Sequence, residues 1–204
     1  MHVYDLKDGE ELVKAARSAI ELYLKNPHFD KNLIINNLKK FEEHNGLFVT
    51  LEYYQTNELR GCVGFTSSNR AVKENIIDAA LAAAFEDYRF LSITFQELND
   101  LIIEVSILSD LEKISGNKEQ IKKQIKIGKD GLMIQYGIYS GLLLPIVAVE
   151  QKWNVVEFLE NVCLKAGLNK NYWSYPNANL YKFETQIFKE QKPDGKIIEI
   201  KLTK

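Results

Sequence analysis

Cysteine and histidine are scarce in this 204-residue chain, which contains two cysteines and three histidines. Cys62 and Cys163 are far apart, in neither CxxC nor metal-ligand spacing, which indicates a reducing compartment such as the cytoplasm. All three histidines precede Cys62, so a Cys–His pair would require the N-terminal segment to fold back. No cluster of histidine, cysteine or carboxylate residues has ligand spacing, and no glycine-rich phosphate motif is present, so we predict neither a metal site nor a cofactor.

Long apolar runs and a strong net charge are also lacking. The longest apolar run, residues 142–149, contains Pro145 and is too short to cross a bilayer. The first residues have no basic region followed by an apolar run, so a secretory signal is not expected. A net charge of −2 gives no global electrostatic case for binding RNA or an anionic membrane, although it leaves a local patch open. We therefore predict a cytoplasmic protein that does not associate with membranes.

One stretch, Leu59–Phe65, concentrates two glycines, an arginine and a cysteine within seven residues. If it is a strand, Arg60, Cys62 and Gly64 share one face, and Gly61 lies on the core face with the apolar residues. The guanidinium of Arg60 would then favour the thiolate form of Cys62. The glycines would leave bare backbone for a ligand or another chain. The alternative is a bulge or bend in which Cys62 is a small apolar filler.

The elements around this stretch follow from hydrophobic periodicity and turn residues. A polar turn at residues 55–58 predicts a hairpin of strands 47–54 and 59–65. Alternation predicts a strand over Leu101–Leu108, with apolar Ile102 and Leu108 flanking the polar residues of its second face. Helical spacing predicts helices over residues 11–24, from the capping residues 67–69 to about residue 88, and over residues 153–166. Further predicted strands cover residues 141–149, 181–188 and 196–202.

Four polar residues outside the signature are candidates for the same site. Asp87 and Arg89, at the end of a predicted helix, either pair with each other or point into a cleft. Glu104 and Ser106 lie on one face of their strand, positioned to face whatever Arg60 and Cys62 face. The alternative for that second pair is a solvated sheet face.

In order along nearly the whole chain, several motifs resemble the AMMECR family, named for a human chromosomal region. They include the signature Leu59-Arg60-Gly61-Cys62-Val63-Gly64 and matches at residues 46–51, 86–90, 104–106, 127–128, 130–132, 142–145, 153, 158–159 and 163–168. The resemblance implies an α+β fold of antiparallel β-sheets flanked by helices. It also implies one domain over residues 1–204, with a larger and a smaller lobe and a cleft lined by the signature. No reaction is established for the family, and Memo-like and radical-SAM proteins are its implied partners in a modification pathway.

Two functional hypotheses remain open, both for a protein of unknown biochemical activity. The first is an enzyme in which Cys62 is the nucleophile, Arg60 holds an anionic group and Glu104 is the acid or base. The second is a binding or adaptor module that recognises an anionic ligand, RNA or a partner protein. Its recognition residues would be Arg60, Asp87, Arg89 and Glu104, and the further candidate ligand-binding residues are Gly61, Gly64 and Ser106. A third reading is that the signature only shapes the fold.

Overall fold

A computed structural model describes residues 4–66 and 69–201 of the chain. Within those residues, the α-helices are α1 (Leu6–Lys25), α2 (Asn32–Ile35), α3 (Val72–Phe85), α4 (Phe95–Leu98), α5 (Lys118–Lys123), α6 (Pro145–Glu150) and α7 (Val155–Lys165). The strands are β1 (Leu47–Tyr53), β2 (Leu59–Phe65), β3 (Leu101–Leu108), β4 (Glu112–Ile114), β5 (Gly131–Tyr136), β6 (Tyr139–Leu143), β7 (Asn179–Phe183), β8 (Thr185–Glu190) and β9 (Ile197–Ile200). A short 3-10 helix covers Tyr172–Ser174.

The chain divides into two compact units, and the first is discontinuous in sequence. It comprises the described residues up to Leu108 together with Gln186–Lys201, whereas the second comprises Ser109–Thr185. The first unit contains a five-stranded sheet in the order β2-β1-β3-β8-β9, and the second a four-stranded sheet in the order β4-β7-β5-β6. The predicted α+β class, with antiparallel sheets flanked by helices, is therefore confirmed.

In the first unit, α1 and α3 pack on one face of the sheet. Helix α1 begins one turn earlier than the periodicity predicts, because Asp5 and Asp8 form a reciprocal capping box. Helix α3 is rich in alanine, which allows it to approach the sheet closely. It ends at Phe85, three residues before the predicted end. Of the predicted capping residues, 67 and 68 lie outside the described residues, and the N-cap position is held by Ala71.

A buried ion pair ties α1 to the sheet of the first unit. Arg17 on α1 and Glu190 on β8 are only 6% and 3% exposed. Nε and Nη2 of Arg17 donate to the two carboxylate oxygens of Glu190 over 2.7 and 2.6 Å. Nη2 also donates to the carbonyl of Leu101, and the backbone N–H of Ile103 donates to Glu190. Both charges are thus paired with each other and hydrogen-bonded to backbone groups.

In the second unit, α7 packs on β5 and β6. Asn154 caps its first turn, and the apolar stripe of the helix, Phe158, Leu159, Val162 and Cys163, is fully buried. Backbone N–H groups of the 3-10 helix donate to the Cys163 thiol, but burial dominates and raises its pKa to about 11. The prediction that Cys163 is a core residue is therefore confirmed.

Two strand predictions are wrong, one within this unit and one that crosses into the first unit. The strand predicted over residues 141–149 ends at Leu143, and Pro145 is the first residue of α6. Proline is favoured there because the first helical N–H has no partner within the helix. The strand predicted over residues 181–188 is two strands, β7 and β8, which belong to different sheets. No helix among the described residues is long and apolar enough to cross a membrane.

Candidate functional site

A β-bulge in the signature strand sets the position of Arg60. Leu51 of β1 lies opposite Gly61, but the next residue, Glu52, lies opposite Leu59, so Arg60 is the extra residue of β2. The side chain of Arg60 is only 9% exposed and binds the carboxylate of Glu97. The hydroxyl of Tyr53 binds the same carboxylate, and Tyr53 packs against the helix-covered core. The prediction that Arg60 shares a face with Cys62 is therefore wrong, because the bulge interrupts the alternation.

Glu97, which sequence reasoning missed, neutralises Arg60. Nε of Arg60 and the hydroxyl of Tyr53 each donate to Oε1 of Glu97 over 2.6 Å. Nη2 of Arg60 donates to the carbonyl of Leu91, and the guanidinium lies 5.6 Å from the ring centre of Phe90. Burial alone would raise the pKa of Glu97, but the hydrogen bonds from Arg60 and Tyr53 outweigh it and lower that pKa. Nε and Nη2 of Arg60 are therefore held by structural partners, whereas its buried Nη1 has no hydrogen-bond partner among the described residues.

Asp87 and Arg89 form a clip on the backbone of Cys62, called here the edge clip. Oδ2 of Asp87 accepts the backbone N–H of Cys62 over 2.9 Å, and Nη2 of Arg89 donates to the Cys62 carbonyl over 3.3 Å. The two side chains also pair with each other over 2.6 and 2.9 Å. Hydrogen bonds from Arg89, the largest cause, hold the pKa of Asp87 well below its usual range. Of the two alternatives from sequence, mutual pairing is thus the one observed.

The thiol of Cys62 is largely covered, and its pKa is raised. Burial is the largest cause, while a hydrogen bond from Thr50 Oγ1 over 3.3 Å and the charge of Arg89 oppose it only partly. Arg60 does not contribute, since its guanidinium is paired with Glu97. The prediction that Arg60 favours the thiolate of Cys62 is therefore wrong.

A row of polar side chains crosses the sheet on the face of Cys62. Thr50 on β1 lies opposite Cys62 on one side and opposite Glu104 of β3 on the other. Ser106 Oγ lies 3.4 Å from Oε1 of Glu104. With one strand between them, the Cα atoms of Cys62 and Glu104 are about 10 Å apart. Cys62 and Glu104 could therefore act together only on a substrate bound between them.

Lys189 of β8 extends this row of polar side chains, and sequence reasoning did not identify it as part of the site. Its Nζ lies 3.5 Å from a carboxylate oxygen of Glu104 and 2.5 Å from one of Glu52. Burial raises the pKa of Glu104, although the charge of Lys189 opposes that rise. The structure thus brings Glu104 and Ser106 to the face of Cys62, and places Arg60 elsewhere.

The two glycines of the signature are required by packing. A Cβ atom on Gly61 would lie 2.1 Å from the carbonyl oxygen of Ala83 on α3, and one on Gly64 would lie 2.2 Å from the carbonyl oxygen of Leu47. Both contacts are with backbone atoms, which cannot move independently. Ligand binding by these glycines stays a prediction.

The segment that follows α3 carries several exposed large side chains close together in sequence, called here the 88–95 surface: Tyr88, Arg89, Leu91 and Phe95. Tyr88, Leu91 and Phe95 are 95%, 87% and 49% exposed. The backbone beneath them is fixed, since the N–H of Ile93 donates to the Ala84 carbonyl and the Leu91 carbonyl accepts from Arg60. In the described part of the chain, no group of three or more histidine, cysteine or carboxylate residues could hold a metal ion.

We expect Cys62 to react slowly with a thiol alkylating agent at neutral pH. Its raised pKa leaves little thiolate, so the rate should rise only with an apparent pKa above the value of about 8.5 for an unperturbed cysteine. The measurement is alkylation rate against pH in Cys163→Ser, with the unfolded protein as reference. Thr50→Val should raise the apparent pKa further. An apparent pKa below that of the unfolded protein would contradict this account.

Comparison with known proteins gives a consistent family. The AMMECR1 family model matches residues 13–188. Protein MJ0810 of Methanocaldococcus jannaschii is 43% identical over 205 residues, which cover 99% of this chain and all of that protein. Protein PH0010 of Pyrococcus horikoshii is 42% identical over 205 residues, covering 96% of this chain and 97% of that protein. Its crystal structure, titled as that of an uncharacterised protein, has a TM-score of 0.88 and covers 96% of this chain and 98% of that one.

Proposed function

The chain belongs to the AMMECR1 family, and on that premise we propose that it is a binding or adaptor module which docks a partner protein on the 88–95 surface. The exposure of Tyr88 and Leu91 on a fixed backbone carries this proposal. Large apolar side chains grouped on a surface mark interaction sites, and tyrosine and arginine are enriched among residues that dominate binding energy.

The charges at this surface favour a protein partner over an anionic ligand or RNA. Arg60 is already neutralised by Glu97, and Arg89 by Asp87. Phosphate binding depends on uncompensated lysine and arginine side chains, whereas a protein interface gains most from apolar contact. The cleft between two lobes, which the resemblance implies, stays a prediction.

Catalysis by Cys62 is the second candidate, and the polar row favours it. A substrate lying over Thr50 could meet the thiol of Cys62 on one side and Glu104 on the other. The raised pKa of Cys62 argues against a ready nucleophile, so we rank this activity below binding. Faster alkylation of Cys62 than of the unfolded protein at neutral pH would reverse the ranking.

The double variant Tyr88→Ser, Leu91→Ser should weaken partner binding at least about tenfold, since central interface residues each contribute about 1–2 kcal/mol or more. Memo-like and radical-SAM proteins from the same organism are the first partners to test, by calorimetry with purified proteins. The free energy of unfolding should change by less than about 0.5 kcal/mol, because both side chains lie in solvent. The control is Ile138→Ser, which removes a side chain equally exposed at 94% in the second unit.

Two results would count against the proposal. One is equal weakening by the Ile138 control, and the other is full binding by the double variant. If neither partner class binds the unaltered protein, a photo-crosslinking residue at position 91, matched with one at position 138, tests the surface in cells. Equal crosslinking yields at the two positions would overturn the proposal. Salt-sensitive RNA binding that is lost in Arg89→Ala would replace a protein partner with RNA.

A further inference from the structure

Strand β2 is an outer strand of its sheet, and its composition does little to stop that edge from pairing with another chain. An outer strand presents N–H and C=O groups that can pair with another chain. Over Leu59–Phe65 the sequence has one charged residue and no proline, with two strand-favouring side chains, Val63 and Phe65, and two glycines. Low charge and the absence of proline leave such an edge without two of the usual barriers to an added strand.

The edge clip occupies the hydrogen-bonding groups that such an added strand would use. At Cys62 the backbone N–H meets a carboxylate oxygen of Asp87, and the C=O meets an N–H of Arg89. If an antiparallel strand paired with β2, one of its residues would accept the Cys62 N–H with its C=O and donate its own N–H to the Cys62 C=O. The clip therefore takes the place of a neighbouring strand through two side chains.

A second feature disrupts the same edge beside the clip. The bulge at Arg60 inserts an unpaired residue and breaks the regular spacing of β2. Bulges and charged side chains are the devices by which natural sheets prevent edge-to-edge pairing. Here both lie within three residues of one outer strand, Arg60 to Cys62.

We propose that the edge clip closes β2 to strand addition, and that the strand it excludes is β2 of a second copy of this chain. Antiparallel pairing centred on Cys62 would be self-complementary, because the N–H of each copy would face the C=O of the other. A net charge of −2 provides little repulsion between copies. The clip shares Arg89 with the 88–95 surface, but Asp87 belongs to the clip alone, so Asp87→Ala tests this role separately from the Tyr88 and Leu91 changes that test docking.

The test is residue-resolved amide hydrogen exchange by NMR, with sedimentation, on Asp87→Ala at low and high protein concentration. At low concentration the Cys62 amide should exchange about 10- to 100-fold faster than in the unaltered protein, since a charge-assisted hydrogen bond is lost. At high concentration the variant should form a dimer, and the Cys62 amide should regain protection. The unaltered protein and Glu160→Ala, which removes a carboxylate paired with Lys170 on the surface, should remain monomeric.

Each other outcome has a definite meaning. Unchanged protection of Cys62, a variant that stays monomeric, or a dimer in which Cys62 remains unprotected would each overturn the proposal. Unfolding would be recognised by rapid exchange at Val105, a fully buried residue of the central strand β3. In that case Arg89→Ala decides, because Arg89 is 39% exposed and its truncation frees the Cys62 carbonyl, while Asp87 loses its counter-ion but keeps the Cys62 N–H. Concentration-dependent dimers with protected β2 amides are then expected, and a monomer would overturn the proposal.

Discussion

Arg17→Ala is expected to lower the free energy of unfolding by about 3–5 kcal/mol, because it leaves the buried carboxylate of Glu190 without its counter-ion. Arg17 supplies both hydrogen bonds that neutralise this carboxylate. It also satisfies the carbonyl of Leu101, so a backbone acceptor loses a partner in the same variant. The loss is large relative to the total stability of about 5–15 kcal/mol that is usual for a folded protein.

Urea denaturation followed by circular dichroism measures this effect. Two controls separate burial from charge. The double variant Arg17→Met, Glu190→Leu removes both charges and should be more stable than Arg17→Ala, since apolar replacements of a buried pair are often neutral. Lys170→Ala breaks an exposed pair with Glu160 and should cost about 1 kcal/mol or less. A loss below about 1 kcal/mol in Arg17→Ala would show that Glu190 finds another partner or water.

Gly61→Ala is expected to cost about 1–3 kcal/mol or more, the range for forcing extra volume into a packed core. The added methyl group would lie 2.1 Å from the backbone oxygen of Ala83, so α3 and β2 must move apart. Because α3 packs on both β1 and β2, such a movement would loosen several core contacts at once.

The matched control is Gly137→Asn at the turn between β5 and β6. Gly137 has a φ of +58° and nothing within 4 Å of an added Cβ, and asparagine tolerates this conformation better than other residues. Its unfolding free energy should change little, whereas that of Gly61→Ala should fall. Unchanged stability of Gly61→Ala together with lost partner binding would instead support the prediction that Gly61 contacts a ligand.

The periodic elements of the fold were predictable from sequence. Alternation over Leu101–Leu108 gives β3 with its bounds, and the polar turn before Leu59 gives the hairpin of β1 and β2. Helical spacing gives α1 and α7, although the capping residues extend α1 by a turn. Such patterns are local, and each reflects one face of one element packed on a core.

Features that depend on distant residues could not be found in this way. The alternation does not show the bulge at Arg60, so the predicted grouping of Arg60 with Cys62 failed; the glycines of the signature had indicated a bulge or bend as the alternative, and a bulge is what the structure has. Glu97 could have been identified as part of a capping box with Thr94, but not as the counter-ion of Arg60. Likewise, Lys189 follows Glu104 by many residues and meets it only because β8 lies beside β3.

The discontinuity of the first unit has a consequence for synthesis on the ribosome. Arg17 and Glu190 are separated by 173 residues, so at about 5–20 residues per second the arginine emerges on the order of ten seconds or more before its partner. During that interval β3 has an open edge where β8 will later pair. The four strands of the second unit are contiguous in the chain and can complete their sheet first. Until β8 and β9 are synthesised, the nascent first unit therefore lacks two strands of its sheet and the counter-ion of Arg17.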